Sequence, residues 1–170
     1  MKVGYAILYE DGTLAISKKH TILQTPIYID FGEFDDNEIP WYHEREFIKN
    51  VQIIEPMKVT CLAYWFYNCV NLKQLIDFQN LDVTECTFFT RTFYGCESLI
   101  DVDLKDLCLK SETIFLSTFK YCIALENVSL PTKLSKINNK MFGYCNDNLK
   151  IHWKDKIYTY QDLLEYAVFN

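Results

Sequence analysis

The stretch Phe66-Tyr67-Asn68-Cys69-Val70-Asn71-Leu72 contains the pattern that decides the fold, Phe-x-x-Cys-x-x-Leu. The pattern recurs at 93–99 and at 119–125, and an incomplete copy with a displaced leucine covers 142–149. The cysteines of successive copies are 27, 26 and 23 residues apart. Self-similarity with a period of about 20 to 30 residues is typical of solenoids. We therefore expect a stack of short repeats that offers an extended binding surface rather than an enclosed catalytic pocket.

Each copy is followed by an apolar-x-apolar alternation, which predicts a short strand with one buried face. The alternation breaks at Asp77, where we expect a small bulge or a register shift. A degenerate first repeat lies upstream, because 48–53 matches 125–130 position by position. Its phenylalanine slot holds Tyr42 and its cysteine slot holds Arg45. End repeats are expected to be atypical, because one of their faces has no neighbouring repeat.

Stacking of the repeats should place equivalent side chains in columns, with strands about 4.8 Å apart. Phenylalanine, cysteine and leucine form the inward columns, in which the cysteine supplies a small, buried, apolar side chain. The outward strand positions form two further columns, which together offer a continuous binding face. The first is Asn50, Gln74, Asp101, Asn127 and Lys150, and the second is Gln52, Ile76, Asp103, Ser129 and His152.

Several of these segments resemble the BspA-like leucine-rich repeat family. They are Pro40-Trp41-Tyr42, the strand at 48–53, the run Ala63-Tyr64-Trp65-Phe66-Tyr67-Asn68-Cys69, and Leu130-Pro131 with the downstream Leu134, Ile137, Phe142 and Cys145. Asp11-Gly12-Thr13-Leu14-Ala15-Ile16-Ser17 resembles the short hairpin that often precedes such repeats in that family. The resemblance covers about residues 5 to 153. It implies a leucine-rich-repeat solenoid, with adhesion, surface attachment or protein interaction as its function. The chain departs from the family in its few, irregular repeats and in showing no export signal.

We predict an α+β fold, a small leucine-rich-repeat solenoid of four to five irregular repeats within one compact domain. Residues 1–40 form an N-terminal β-hairpin or strand cap, whose hairpin turns at Asp11-Gly12. Residues 41–156 form the repeats, and residues 157–170 form a C-terminal helical cap. The motif Thr159-x-x-Asp162 predicts the start of that helix, which should cover the exposed end of the last repeat.

Seven cysteines raise the alternatives of disulfides, a metal site and structural thiols. An odd number without a signal peptide favours free thiols in a reducing compartment. Zinc would need closely spaced ligands, but there is no Cys-x-x-Cys pair and the three histidines are far apart. The sequence also lacks a glycine-rich phosphate loop and a nucleophile–base set. We therefore expect no metal, no cofactor and no enzymatic activity; an enzyme within residues 1–45 is the alternative from another class.

Charge is distributed unevenly along the chain, whose net charge is −6. Seven acids and one base, Arg45, lie between Asp30 and Glu46, and a second acidic cluster lies between Glu97 and Glu112. Lysines dominate from position 133 onwards. The negative balance disfavours direct nucleic-acid binding, whereas it suits docking onto a basic protein partner.

We therefore predict a non-enzymatic protein-interaction module, an intracellular acidic binder or inhibitor of a larger partner that is basic or associated with nucleic acid. A phage or mobile-element protein that blocks a host defence complex is one form of this hypothesis, and a surface adhesin or its fragment is the alternative. The predicted partner-binding residues are acids, outward strand residues, and aromatic residues beyond those that the core requires. They are Asp35, Asp36, Glu38, Trp41, Tyr67, Tyr94, Asp101, Asp103 and His152.

The expected location follows from the apolar runs of the sequence. Glu10 and Asp11 interrupt the first apolar run too early for a signal peptide. The other runs are too short for a membrane span. We expect a cytoplasmic protein, or a location at the cell surface if an export segment has been removed.

Overall fold

The computed structural model describes residues 4–19, 26–32, 39–110, 112–137 and 139–169. This part of the chain contains short strands, 3-10 turns and one helix. The strands are β1 (Gly4–Tyr9), β2 (Thr13–Ser17), β3 (Pro26–Gly32), β4 (Asn50–Ile53), β5 (Met57–Lys58), β6 (Gln74–Ile76), β7 (Leu81–Asp82), β8 (Asp101–Asp103), β9 (Asn127–Ser129), β10 (Lys150–Trp153) and β11 (Lys156–Tyr158). The helix α1 spans Tyr160–Phe169, and the 3-10 helices span Pro40–Glu44, Phe78–Asn80 and Asn139–Met141.

The strands assemble into a solenoid of about four turns, as the repeat pattern predicts. One sheet has the order β3-β1-β2-β4-β6, a second has the order β11-β10-β9-β8, and β5 pairs with β7. Strands from successive repeats are parallel, whereas β1 pairs antiparallel with β2 and with β3. Because β2 is parallel to β4, the N-terminal hairpin continues directly into the repeat sheet. Strand β3, the third strand of this end, is not predicted by the sequence pattern.

The outward columns have the predicted register within each sheet, but they are interrupted between the two sheets. Asn50 lies beside Gln74 in one sheet, and Asp101 lies beside Asn127 in the other. Strands β6 and β8 end different sheets, so the column does not continue between Gln74 and Asp101 by strand pairing.

The bulge or register shift expected at Asp77 is a left-handed turn instead. Asp77 has φ 54°, and the 3-10 helix Phe78–Asn80 follows it directly. This turn carries the Phe78 ring into the core, where its exposure is 2%. The early end of β6 therefore results from the need to bury an aromatic side chain.

The main core feature is a column of aromatic rings that runs along the solenoid. Phe66, Phe93, Phe119 and Phe142 stack with successive centroid distances of 5.6, 5.6 and 5.4 Å, and Trp41 stacks on Phe66 at 6.1 Å. The prediction that Tyr42 holds the phenylalanine slot is therefore wrong by one position. Trp41 ends the column with 0% exposure, and its indole Nε1 donates a hydrogen bond to the Trp65 carbonyl at 2.6 Å.

The cysteines form a second column, which does more than fill space. The Sγ of Cys96 donates to the carbonyl of Phe66 at 3.1 Å, and the Sγ of Cys122 donates to that of Phe93 at 3.0 Å. Cys145 bonds the Phe119 carbonyl in the same way at 2.9 Å. Each thiol therefore bonds the preceding repeat, which an apolar side chain of the same size could not do. The structure contains no disulfide among the seven cysteines.

The C-terminal end is closed by a strand as well as by a helix. Strand β11 pairs antiparallel with β10 and occupies its free edge. The Thr159 hydroxyl accepts a hydrogen bond from the Asp162 N–H at 3.2 Å, and the Asp162 carboxylate accepts one from the Thr159 N–H at 2.6 Å. These bonds form the predicted capping box of α1, whose Leu163 is buried.

A phenylalanine-to-alanine substitution should destabilise the protein much more in the ring column than at the surface. Phe93→Ala should lower the free energy of unfolding by about 3–5 kcal/mol, because it leaves a cavity between two stacked rings. Phe47→Ala is the matched control, because Phe47 is 61% exposed. It should change the free energy of unfolding by less than about 0.5 kcal/mol. Urea unfolding followed by circular dichroism measures both. Equal effects of the two substitutions would contradict this account of the core.

The buried thiol of Cys86 and the partly buried thiol of Cys145 predict a loss of stability at alkaline pH. Burial raises the pKa of Cys86 and that of Cys145 from 9.0 to about 12. Below pH 9 the thiols are protonated in the folded and the unfolded chain, so their contribution is fully present. Between pH 9 and about 12, these thiols ionise only in the unfolded chain, so the free energy of unfolding falls across this range.

Cys145→Ala tests this linkage, because it removes one of the groups. Its free energy of unfolding should fall less steeply than that of the wild type between pH 9 and the highest pH at which unfolding is reversible. Leu125→Ala, which removes a buried side chain that does not titrate, should give a curve parallel to the wild type. Parallel curves for Cys145→Ala as well would show that this thiol does not contribute.

Candidate protein-binding surfaces

The predicted site residues fall into three groups in the structure. Asp35, Asp36 and Glu38 lie outside the described residues. Trp41, predicted to bind a partner, is instead the end ring of the core column, and its side chain does not reach the surface. The remaining five occupy two surfaces, formed by different segments of the repeats. Asp101, Asp103 and His152 belong to the strand face, whereas Tyr67 and Tyr94 follow the column phenylalanines.

The acidic patch of the strand face consists of Asp101, Asp103 and Asp106, all of which are exposed and line the same groove. The Asp101 carboxylate accepts a hydrogen bond from the Asn127 side chain at 2.8 Å. Asp103 makes an exposed ion pair with Lys105 at 3.2 Å, and this contact raises the pKa of the lysine. These contacts orient two carboxylates without burying them, so both remain available to a partner. His152 is partly buried and lies two strands from Asp103 in the same column.

A groove of about 130 Å³ lies at the junction of the two sheets, directly beside these acids. Both apolar side chains and carboxylates line it, which suits a basic side chain with an aliphatic stem. Its lining residues are Leu75, Phe78, Gln79, Asp101, Asp103, Leu104, Asp106 and Leu107.

The second surface is a row of tyrosines on the turns that carry the aromatic column. We name the four stacked segments 64–68, 91–95, 117–121 and 140–144 the tyrosine ridge. Tyr67 stacks on Tyr94 at 4.9 Å, Tyr94 meets Tyr121 edge-on at 5.2 Å, and Tyr121 stacks on Tyr144 at 4.7 Å. Tyr144 ends the row and is 67% exposed, whereas the three others are partly buried.

Backbone hydrogen bonds fix the spacing of the tyrosine ridge. The N–H of Asn68 donates to the backbone carbonyl of Tyr94 at 2.7 Å. In the same way, the N–H of Gly95 donates to the backbone carbonyl of Lys120 at 2.9 Å, and the N–H of Tyr121 donates to that of Gly143 at 2.9 Å. Each turn is thereby held at the repeat distance from the next. Desolvation and the neighbouring Tyr121 and Tyr67 raise the pKa of Tyr94.

Basic side chains lie over these rings. The Arg91 guanidinium is 5.6 Å from the centroid of Tyr64 and 5.9 Å from that of Tyr94, and its Nη1 donates to the Tyr64 hydroxyl at 2.9 Å. The Lys120 ammonium lies 5.3 Å from the Tyr121 centroid and 5.4 Å from that of Tyr144. Such cation–π contacts hold the charges at the surface of the ridge.

Three of the ridge tyrosines, Tyr64, Tyr121 and Tyr144, have the left-handed backbone conformation that tyrosine disfavours. The residue before the column cysteine is left-handed in all four repeats that contain this cysteine, and the first two of these place Asn68 and Gly95 there with φ 57° and 71°. The next two place Tyr121 and Tyr144 there with φ 64° and 59°. A left-handed conformation costs about 1–2 kcal/mol for a side chain of this kind, and asparagine and glycine avoid most of that cost.

The sequence pattern predicts Tyr67 and Tyr94 as binding residues, but it does not indicate Tyr144, Arg91 or Lys120. The tyrosine directly follows the phenylalanine in two repeats and follows it by two positions in the others. Because of this shift by one position, an alignment of the repeats does not place the four tyrosines in one column. The signal that could have found it is the presence of tyrosine within two residues of each column phenylalanine.

The comparisons with known proteins concern the repeats. The family described as the BspA type leucine rich repeat region matches residues 43–164 in 6 copies, which is well over half of the chain. A comparison with curated proteins and one with solved structures each gave no match. Within the described residues, no helix is long and apolar enough to cross a membrane. The same residues contain no cluster of three or more histidines, cysteines or acids that could hold a metal ion.

The family match agrees with the solenoid, the parallel repeat strands and the stacked Phe-x-x-Cys turns. A protein-interaction module is the function that such repeats suggest. The chain therefore belongs to the BspA-type leucine-rich repeat family.

Proposed function

We propose that this chain is a protein-binding module that docks a basic partner with its acidic patch. The observation that carries the proposal is the position of Asp101 and Asp103 on the outward side of β8, two residues apart and both exposed. Their contacts with Asn127 and Lys105 orient the carboxylates before a partner arrives. A preorganised pair of carboxylates loses less conformational entropy on binding than two free side chains do.

The charge balance supports the same partner chemistry. A net charge of −6 attracts basic proteins over a distance of about 10 Å at moderate salt, which raises the rate of encounter. The groove beside the patch provides an apolar contact for the stem of an arginine or lysine that reaches the carboxylates. The site therefore suits a basic protein surface rather than a small metabolite.

The specific form of this proposal is a stoichiometric binder that inhibits a larger partner inside the cell. A phage or mobile-element protein directed at a host defence complex would act in this way. An adhesin of the cell surface is the alternative use of the same repeats. The two differ in the partner, which is an intracellular basic protein in the first case and extracellular matrix or host-surface material in the second.

Affinity capture with matched variants tests the proposal. The tagged chain is incubated with a lysate of its source cells at low and moderate salt, and bound proteins are identified by mass spectrometry. We expect one basic partner at a fixed ratio, and we expect it to be lost as salt rises. Asp101→Asn with Asp103→Asn keeps the shape of the patch but removes two charges, so it should abolish capture at moderate salt.

The control variant is Glu10→Gln with Asp147→Gln, which removes two exposed charges elsewhere. It should capture the same partner as the wild type does. Equal loss in both variants would show that only net charge matters, and undiminished capture by the Asp101/Asp103 variant would refute docking through the acidic patch. Binding restricted to matrix or cell-surface material would favour the adhesin.

A further inference from the structure

The tyrosine ridge is locally basic although the chain as a whole is acidic. Its four segments contain Arg91, Lys120 and Lys140 and not a single aspartate or glutamate. These segments are stacked, so the three positive charges lie along one edge of the solenoid. The ridge therefore has the opposite charge to the acidic patch of the strand face, which suits an acidic ligand rather than a basic one.

The left-handed tyrosines are a second and independent indication. Tyr121 and Tyr144 stand where the two preceding repeats use Asn68 and Gly95, although the same turn forms without tyrosine there. Backbone strain of this kind persists where a functional surface requires the side chain. At 67% exposure, Tyr144 buries too little of its ring for core packing to explain its presence.

From these observations we propose that the tyrosine ridge is a second docking surface, which binds an extended, acidic peptide segment of a protein partner. The Arg91 guanidinium and the Lys120 ammonium pair with carboxylates of the peptide. The tyrosine rings, whose centroids are 4.7 to 5.2 Å apart, place a row of hydroxyls that donate hydrogen bonds to its carbonyl oxygens. Aromatic rows of this type recognise extended backbones, and proline keeps such a backbone extended at low entropic cost.

The ring geometry favours a peptide over single-stranded nucleic acid. Nucleic-acid binding on aromatic residues requires open ring faces on which bases stack. On the ridge, Tyr121 lies between Tyr94 and Tyr144, and Tyr94 lies between Tyr67 and Tyr121, so these rings present edges and hydroxyls to a ligand. The net charge of −6 adds a repulsion of phosphates that a short acidic peptide experiences less.

The test uses three fluorescein-labelled probes and fluorescence anisotropy with the full chain. The probes are a decapeptide of alternating glutamate and proline, the same peptide with lysine in place of glutamate, and decathymidylate. We expect saturable binding of the acidic peptide with a dissociation constant below about 1 mM and no saturable binding of the basic peptide. No saturable binding of the acidic peptide, or tighter binding of decathymidylate, overturns the proposal.

Two variants separate binding from stability. Tyr144→Asn introduces the residue type that the left-handed position prefers, so the midpoint of thermal unfolding should stay the same or rise. Its affinity for the acidic peptide should fall about tenfold or more. A purely structural tyrosine would instead lower the unfolding midpoint and leave the affinity unchanged, and this result overturns the proposal.

Arg91→Gln with Lys120→Gln should also weaken the acidic peptide about tenfold or more, and its effect should shrink as salt rises. The control is Lys133→Gln with Lys156→Gln, which removes two exposed charges outside the ridge and should leave affinity unchanged. Equal weakening in both variants overturns the proposal. Asp101→Asn with Asp103→Asn should not weaken the acidic peptide, so failure of the acidic patch and failure of the ridge are distinguishable.

Discussion

Three carbonyl oxygens of the phenylalanine column, those of Phe66, Phe93 and Phe119, each accept two hydrogen bonds, and the regular stacking of the repeats depends on this arrangement. The Phe93 carbonyl receives the N–H of Cys96 in its own turn at 3.2 Å and the Sγ of Cys122 in the next repeat at 3.0 Å. One bond closes the turn and the other fixes its distance from its neighbour. The cysteine thus supplies a small side chain that fits the column and a thiol that donates a hydrogen bond along the solenoid axis. A serine hydroxyl could donate the same bond, but its burial would cost more free energy.

The turns that carry the phenylalanine column keep the solenoid continuous where the sheet is interrupted. Strands β6 and β8 belong to different sheets, and Asp77 with Phe78 turns the chain inward at that point. Across this junction the Phe66 and Phe93 rings still stack at 5.6 Å, and the Cys96 thiol still bonds the Phe66 carbonyl. The sheet can therefore be interrupted without loss of register, because rings and hydrogen bonds of the turns carry the register past the gap.

Much of the fold could be predicted from sequence, since the Phe-x-x-Cys-x-x-Leu period fixes the turns and the alternation fixes the strands. The outward residues Asp101 and Asp103 followed from the same register. Trp41 was misassigned because an indole ring fills the phenylalanine column from a position one residue away, which an alignment by slot cannot detect. The tyrosine ridge was found only in part, because Tyr121 and Tyr144 reach the row of Tyr67 and Tyr94 through left-handed backbone. Local backbone geometry, rather than residue spacing, brings those rings together.

These features also explain why the two surfaces differ in extent. The strand face is divided at the junction of the sheets, so its acidic patch is a local site around β8 and the groove beside it. The tyrosine ridge follows the uninterrupted turns and runs past that junction, since Tyr67 lies before it and Tyr94 after it. A compact acidic patch suits a few basic side chains on a folded partner, whereas a continuous row suits an extended segment. The opposite charges of the two surfaces mean that one partner could present both a basic surface and an acidic tail to this chain, and simultaneous engagement would raise the overall affinity through effective concentration.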